Sequence, residues 1–547
     1  MKQLLAVATI LLLSALPLSA QTAAPKEPAI VLPPVLMKVE DVTQANIDTP
    51  LPPEKAPALP DISVALPQAQ NIKLGTSALD VPPPSEGPAG EALTLGGTKA
   101  QTFFTDGMIG AGSMNQVLGD ITLYKLGADP RFSIEFSHER LDGYLGSTSL
   151  YPYYPAGKGY FNQTDALVGS LTYQPAGPFS LSSNDFYRET EDGLQQLGSG
   201  SYSSVLHRYL SGHLTGSYAI STPFSIGSSL DATYTDMTLS GALPETSSEV
   251  FARPAVNLAL TLQTVKLGLE GYYGLEQTNG QTASTLQNAG STLTLTAKLP
   301  LSLSFDGSVG FAWDDAVGMH VPFSLELDGA YRDLLTYKLY GGYRIERPSY
   351  FDIWSSYHFL DQGAALMPSL NWYGGVSSQM RLGPTFALDA GVGYTQASAT
   401  VIPSSFVQSE QLFSFLQLPT ETLGPSVSLS WNPPGPFSLN LGWKGAFINP
   451  GAFAPVSTFT LDAELNAPSG KFGGSLSGSS NIYSDPSLLS EELPNLTLSG
   501  FFRVSDGVLF RLDVNDILSP LLPGGRKLWD TYTQPGFHIV LRTQISL

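Results

Sequence analysis

The stretch LSLSFDGSVGFAWD, residues 301–314, and the stretch FSLELDGAYR, residues 323–332, carry the reading of the whole chain. Leu303, Phe305, Val309, Phe311 and Trp313 alternate with Ser304, Asp306, Ser308, Ala312 and Asp314, and Phe323, Leu325, Leu327 and Tyr331 alternate with Ser324, Glu326, Asp328 and Arg332. Alternation of this kind belongs to strands with one apolar and one polar face. The same texture recurs at Val256–Leu262, Phe437–Trp443 and Leu496–Phe502, and it dominates the sequence from Thr98 onward.

Between these runs a short turn recurs, followed by an aromatic or aliphatic strand start. Ten such turns begin at Asp129, Pro175, Thr222, Thr264, Leu299, Leu334, Gly383, Pro433, Pro468 and Ser505. Each interval holds two strands of roughly ten residues and one longer connection, so the unit is a hairpin with short turns at one end and long loops at the other. A soluble protein covers each apolar sheet face with a second sheet, and sandwiches stop well short of this length. Lipid can cover that face instead, provided that the strands close on themselves, because hydrocarbon offers no partner for a free backbone edge. The pattern predicts an all-β transmembrane antiparallel barrel over 98–547. With both ends on the periplasmic side, ten turns and eleven loops give about 22 strands, in a range of 16–24. Tyr173, Phe179, Phe224, Trp431, Phe437 and Phe510 flank the short turns, where an interfacial girdle belongs. A soluble propeller or a multidomain β adhesin would lack the asymmetry between short turns and long loops.

Composition agrees. Of 547 residues only 14% are charged, against roughly 25% in an average globular chain, while 42% are hydrophobic and 54 are Gly. The net charge of −20 and the absence of a basic stripe exclude a nucleic-acid partner. The absence of cysteine excludes disulfides, thiolate metal sites, a cysteine nucleophile and an N-terminal lipoprotein anchor.

Residues 1–20, MKQLLAVATILLLSALPLSA, read as a cleaved export signal, its apolar run being too short to span a bilayer as a helix. Residues 21–97 contain 14 prolines and carry a net charge of −5, from nine acidic and four basic groups. Pro at this density removes backbone donors and blocks helices and sheet interiors. This arm is expected to be an extended periplasmic tether or a passive linker.

The last hairpin, RLDVND at 511–516, PGGRK at 523–527 and YTQPGFHIVL at 532–541, resembles the end of TonB-dependent outer-membrane receptors. The resemblance implies a barrel of 22 strands in the bacterial outer membrane, partnered by outer-membrane lipid and the barrel-assembly machinery, with a TonB-type energiser or another periplasmic partner engaging residues 21–97. PAIVL at 28–32 is a candidate contact segment. Such receptors carry a mixed α/β plug that a Pro-rich arm of 77 residues cannot form. Three arrangements follow: a lumen without a plug, an arm that enters it, or a separate protein that fills it.

The six histidines (His138, His207, His213, His320, His358, His538) show no metal-ligand spacing, and no nucleophile elbow, phosphate loop or dinucleotide fingerprint is present. The sequence points to neither an enzyme nor a resident cofactor. Alternation assigns Asp231, Glu270, Asp306, Glu326, Asp328, Asp462, Glu464 and Asp513 to the lumen, with Lys266, Arg332, Lys444 and Arg511 as a basic minority. Carboxylates around a wet pore favour cations; paired with basic neighbours across strands, they instead stiffen the wall. The aromatic loops at 150–155 and 347–354 are expected either to expose binding surfaces or to pack over the mouth. Passage of a small solute or nutrient across the outer membrane is the function these features favour. A surface adhesin or structural barrel is the alternative.

Overall fold

The computed structural model describes residues 102–546 apart from 128, 144–158, 198–201, 242–243, 281–282, 364, 450–453, 484–492, 523–524 and 530. The expected signal (1–20) and the whole of the Pro-rich arm (21–97), with the loop at 150–155, lie outside the described residues.

Among the described residues a two-stranded ribbon, Lys527–Leu528 with Tyr532–Thr533, lies in the last connection, and one large antiparallel sheet forms the wall. Its strands are β1 (Thr102–Gly112), β2 (Val117–Leu126), β3 (Arg131–Asp142), β4 (Phe161–Tyr173), β5 (Phe179–Gly193), β6 (Tyr202–Ser221), β7 (Phe224–Gly241), β8 (Glu245–Thr261), β9 (Val265–Asn279), β10 (Ser284–Leu299) and β11 (Leu303–Asp314). Next come β12 (Gly318–His320 and Phe323–Tyr331), β13 (Leu335–Glu346), β14 (Ser369–Arg381), β15 (Phe386–Val407), β16 (Leu412–Trp431) and β17 (Phe437–Gly445 and Phe447–Asn449). The last five are β18 (Pro455–Asn466), β19 (Phe472–Tyr483), β20 (Asn495–Ser505), β21 (Val508–Asn515) and β22 (His538–Ser546). The ladder has 24 segments, but β12 is broken only at Val321 and Pro322 and β17 only at Ala446, and each half pairs with the same neighbour, so the strands number 22. Each strand pairs with its sequence neighbours, and β1 pairs with β22 from Asp106↔Ser546 to Gly112↔Val540. The barrel is closed.

Register follows side-chain chemistry. Along β10–β12, Leu293 faces Val309, Phe305 faces Leu327, and Gly307 faces Leu325, while Thr296 faces Asp306 and Asp306 faces Glu326. The apolar set points outward: Leu293, Val309, Leu325, Leu339 and Val376 are all exposed although they are large and hydrophobic. Such a continuous belt would be an aggregation surface in water and is what a bilayer requires. At its lower edge Phe386 stacks on Trp431 (5.9 Å), Trp431 meets Phe437 edge-on (5.4 Å) and Tyr173 meets Phe179 (6.5 Å). These aromatics adjoin the short turns, as an interfacial girdle should. No described helix is long and apolar enough to cross a membrane, and crossing is left to the strands.

The ten short turns fall where the sequence puts them. The opposite end differs from expectation. Several connections there are themselves short, such as 315–317, and the extra residues extend the strands instead: β6 and β16 have 20 residues and β15 has 22. Roughly ten residues cross the bilayer, so these strands rise well beyond it on the extracellular side. Arg332, expected on a strand facing the lumen, sits in a short turn with φ of 53° and lies over the Tyr331 ring at 5.3 Å. The tight reversal between β12 and β13 takes the residue out of the alternation.

Two substitutions separate the faces. Leu325→Arg, at mid-belt, is expected to lower the stability of the vesicle-embedded barrel by about 2–4 kcal/mol. Ser324→Arg, on the other face, should cost less than half of that, as read by urea unfolding followed through tryptophan fluorescence.

Candidate functional site: the lumen and its extracellular lid

Pairing places the eight sequence-selected carboxylates on the face opposite the belt, where they form separate groups rather than one ring. Asp306, Glu326 and Asp328 converge, with carboxylate oxygens within 4.8 Å of one another. Lys338 on β13 reaches Glu326 at 2.7 Å and Asp328 at 3.7 Å, and Thr296 donates to Asp306. Asp231 hydrogen-bonds His213 and stands opposite Arg253, which bonds Glu270 at 3.2 Å and covers the Tyr272 ring at 4.0 Å. Asp513 is held by Arg511 (2.7 Å), Arg542 (2.9 Å) and the Ser499 hydroxyl (2.6 Å). Asp462 faces Asn440 and Ser477, while Glu464 accepts from Asn466 at 2.8 Å. Several of these carboxylates therefore have cationic partners, as cross-strand stiffening of the wall requires.

A recess of about 700 Å³ opens on the wall of β12–β18, bordered by Asp328, Lys338, Gln379, Asp389, Ser428 and Lys444. Asp389, held by the Ser428 hydroxyl at 3.3 Å, was missed by sequence reading. The alternation of FALDAGVGY at 386–394 would have revealed it, with Asp389 at the same parity as the Gly and Thr positions.

The decisive feature at the extracellular end is the connection 347–368. It leaves β13 and carries a short helix, α1 (Tyr350–Ser356), started by Ser349, whose hydroxyl accepts from the Asp352 amide at 3.1 Å. It reaches β5 and β6, eight and seven strands away around the wall. There His358 Nδ1 pairs with Asp192 at 2.9 Å, and His207 Nε2 bonds the His358 carbonyl at 2.8 Å. The Tyr350 amide donates to Glu249 of β8 (2.8 Å), and Gln362 donates to the Asn279 carbonyl of β9 (2.9 Å). On the β16 side the Asp361 amide donates to the Phe413 carbonyl (3.0 Å), and the Phe413 amide to the Phe359 carbonyl (2.8 Å). The connection is thus sewn to opposite parts of the wall.

Packing completes the closure. Trp354 and Tyr209 are fully buried, Phe351 meets Tyr209 edge-on at 5.5 Å, and Tyr350 lies 4.8 Å from Trp354. The β21–β22 connection adds Tyr532, stacked on Phe359 at 3.8 Å, and Thr533, which exchanges two hydrogen bonds with Gln195. Of the two expectations for 347–354, packing over the mouth describes its placement. At its root Arg347 bonds Asp314 (3.1 Å through Nε) and Asp315 (3.0 Å) and lies 3.6 Å from Glu276. Beneath the lid Thr235 Oγ1 and Trp354 Nε1 are buried without a hydrogen-bond partner, and the buried Tyr209 has the Arg188 guanidinium 4.6 Å from its ring. Each unpartnered group costs free energy, so closure is opposed from within and suits a lid that opens.

The rim carries a titratable pair. The Glu410 carboxyl, between β15 and β16, is pushed up to about 7 by burial, by its hydrogen bond with Asp361 and by the charges of Asp361 and Glu245. A carboxyl held above its ordinary value of 4.5 binds its proton more tightly in the closed form. Its contribution to closure is complete below about pH 4.5 and fades as pH rises through about 7. Amide exchange across 357–368, corrected for its intrinsic pH dependence, should be faster at pH 8 than at pH 5. Glu410→Gln should flatten that difference. Trp354→Ala should weaken closure by about 3–5 kcal/mol, seen as rapid proteolysis of the lid while the barrel stays intact.

No family model and no curated protein matches the chain. Solved structures do. The FrpB iron transporter from Neisseria meningitidis (F5-1 variant) aligns over 82% of this chain and 83% of its own, with a TM-score of 0.64 and 8% identity. The ferric enterobactin receptor of Pseudomonas aeruginosa, in complex with BCV-L6, aligns over 82% of each chain at 10% identity and a TM-score of 0.59. The copper transporter OprC covers 82% of this chain and 80% of its own at 12% identity and a TM-score of 0.59. At such identities the likeness is one of fold. What is shared is the closed, antiparallel β-barrel, the fold that the resemblance of the last hairpin implies.

Proposed function

We propose that this barrel carries a small solute or nutrient across the outer membrane, with the lid at 347–368 as its extracellular gate. The observation that carries the reading is the combination of a polar, carboxylate-bearing lumen with a mouth closed by one connection tied across it. A purely structural barrel has no use for a lid with buried, unpartnered polar groups beneath it. The similar solved structures are of an iron transporter, a ferric enterobactin receptor and a copper transporter, which supports uptake as the class of activity. Asp306, Glu326 and Asp328 would favour a cationic solute or a cationic part of one, with Lys338 limiting the net charge.

The Pro-rich arm, 21–97, is the segment proposed to engage a TonB-type energiser or another periplasmic partner. The barrel-assembly machinery and outer-membrane lipid are the other partners implied by the fold. As a surface adhesin the protein would present its aromatic residues outward, but those of 347–354 are largely turned into the mouth.

Conductance in a planar bilayer tests the reading. The intact chain should conduct little. Removal of residues 349–366 should open a channel that prefers cations, and the combination Asp306→Asn, Glu326→Gln and Asp328→Asn should bring that preference close to parity. Absence of conductance after lid removal, and again after further removal of 21–97, would leave the adhesin reading in its place.

A further inference from the structure

On the outer wall one carboxylate breaks the belt. Asp185 of β5 points toward lipid, because its neighbours on the strand, Asn184 and Phe186, belong to the other face, and Phe186 packs against the cluster beneath the lid. Its cross-strand partners are Gly169 and Gly212, framed by Leu167, Leu210 and Leu214, all exposed to the bilayer. Six residues separate it from Phe179 in the lower girdle, which at ~3.3 Å per residue and a tilt of about 40° places it roughly 15 Å up an apolar band about 25 Å tall. Among the described residues Asp185 has no cationic partner; its side chain accepts only from the Ser183 hydroxyl, at 2.8 Å. The glycines make room for it: a Cβ on Gly212 would stand 3.2 Å from Asp185 Oδ1.

The same strand stays polar above it. Outward positions of β5 read Ser183, Asp185, Tyr187, Glu189 and Glu191, and Tyr187 donates to Glu189 at 3.0 Å. At the level of Glu189 a row of ionisable groups crosses five strands in direct register: His138, Asp165, Glu189, Arg208 and Asp236. Its members are paired within the row, His138 with Asp165 at 2.7 Å and Arg208 with Asp236 at 3.0 Å. A row of this kind marks the headgroup level. Asp185 lies about 10 Å below it, taking ~3.3 Å per residue along a tilted strand.

A carboxylate in hydrocarbon is costly and is retained where something solvates it. Lysine can carry its charge to the interface on four methylenes; aspartate has one, so the interface must come to the residue. A second copy turned about the membrane normal would offer the same carboxylate at the same depth, and no cation. We propose that the outer wall over β3–β7 is a docking surface for outer-leaflet lipid headgroups, which with their water reach down the polar column to Asp185 and thin the bilayer on that side. The column continues without a break into the headgroup row, and the glycine flanks leave the groove open. Strand β5 is also the strand whose Asp192 holds His358 of the lid, so this thinned sector lies behind one attachment of the lid.

The cysteine-free sequence allows a direct test. Nitroxide labels are placed on Leu214→Cys, one step below Asp185, and on Leu293→Cys, an exposed belt position on β10, in the full-length protein in phosphatidylethanolamine/phosphatidylglycerol vesicles. Collision with a water-soluble nickel chelate is expected to be several-fold greater at position 214 than at 293. Adding Asp185→Leu should bring 214 down to the level of 293, with heat-modifiable gel migration showing that each variant is folded. A dry label at 214 beside native Asp185, hydration that survives Asp185→Leu, or spin–spin broadening between copies at 214 would each overturn the proposal. The first result would point to a membrane-embedded protein partner and the last to a second copy.

Discussion

The constraint on which the rest depends is that a backbone in hydrocarbon has no water to bond. Every strand must have two neighbours, and the strand that begins the sheet must find the one that ends it. Here that seam is Asp106–Gly112 against Val540–Ser546. Once it forms, the two faces of each strand meet different solvents, and the low overall charge at ordinary hydrophobicity has its explanation: apolar side chains meet lipid, while Ser, Thr, Gly and most charges meet the lumen or lie beyond the belt, Asp185 excepted.

A closed 22-stranded wall encloses more space than its own side chains fill, and the chain deals with the two ends differently. Toward the short turns it spends almost nothing on connections. At the other end it lengthens β6, β7, β15 and β16 into a collar and ties 347–368 across it. The lid is held by contacts that individually are ordinary, such as His358 with Asp192 or Tyr350 with Glu249, but that come from five different strands. A lid so distributed stays closed without any one strong bond and can be released by a solute that replaces a few of them.

Much of the fold was legible because a strand's faces are fixed by parity. The ten turns, the strand number and the girdle positions Tyr173, Phe179, Trp431 and Phe437 follow from local patterns of two to six residues. The lid was not legible as a closure, since the pairing of Asp192 or His207 with His358 joins residues 166 and 151 positions apart and no local pattern encodes it. Arg332 was misplaced because alternation was extended one residue into a turn. Asp389 was overlooked among glycines. Asp185 went unnoticed because the exception to a pattern is visible only after neighbouring strands fix which face is outside.

The most direct measurement of the account is a crosslink across the seam. Ile109 and Thr543 stand opposite each other on the lipid face, whereas Arg542 belongs to the lumen face. In the cysteine-free chain, Ile109→Cys with Thr543→Cys should form a disulfide on mild oxidation of the folded protein, giving a reducible shift in the migration of the boiled sample. Ile109→Cys with Arg542→Cys should not. Failure of the first pair, or equal crosslinking of both, would contradict a barrel closed in this register and with it the separation of faces on which the lumen, the lid and the lipid-facing groove all rest.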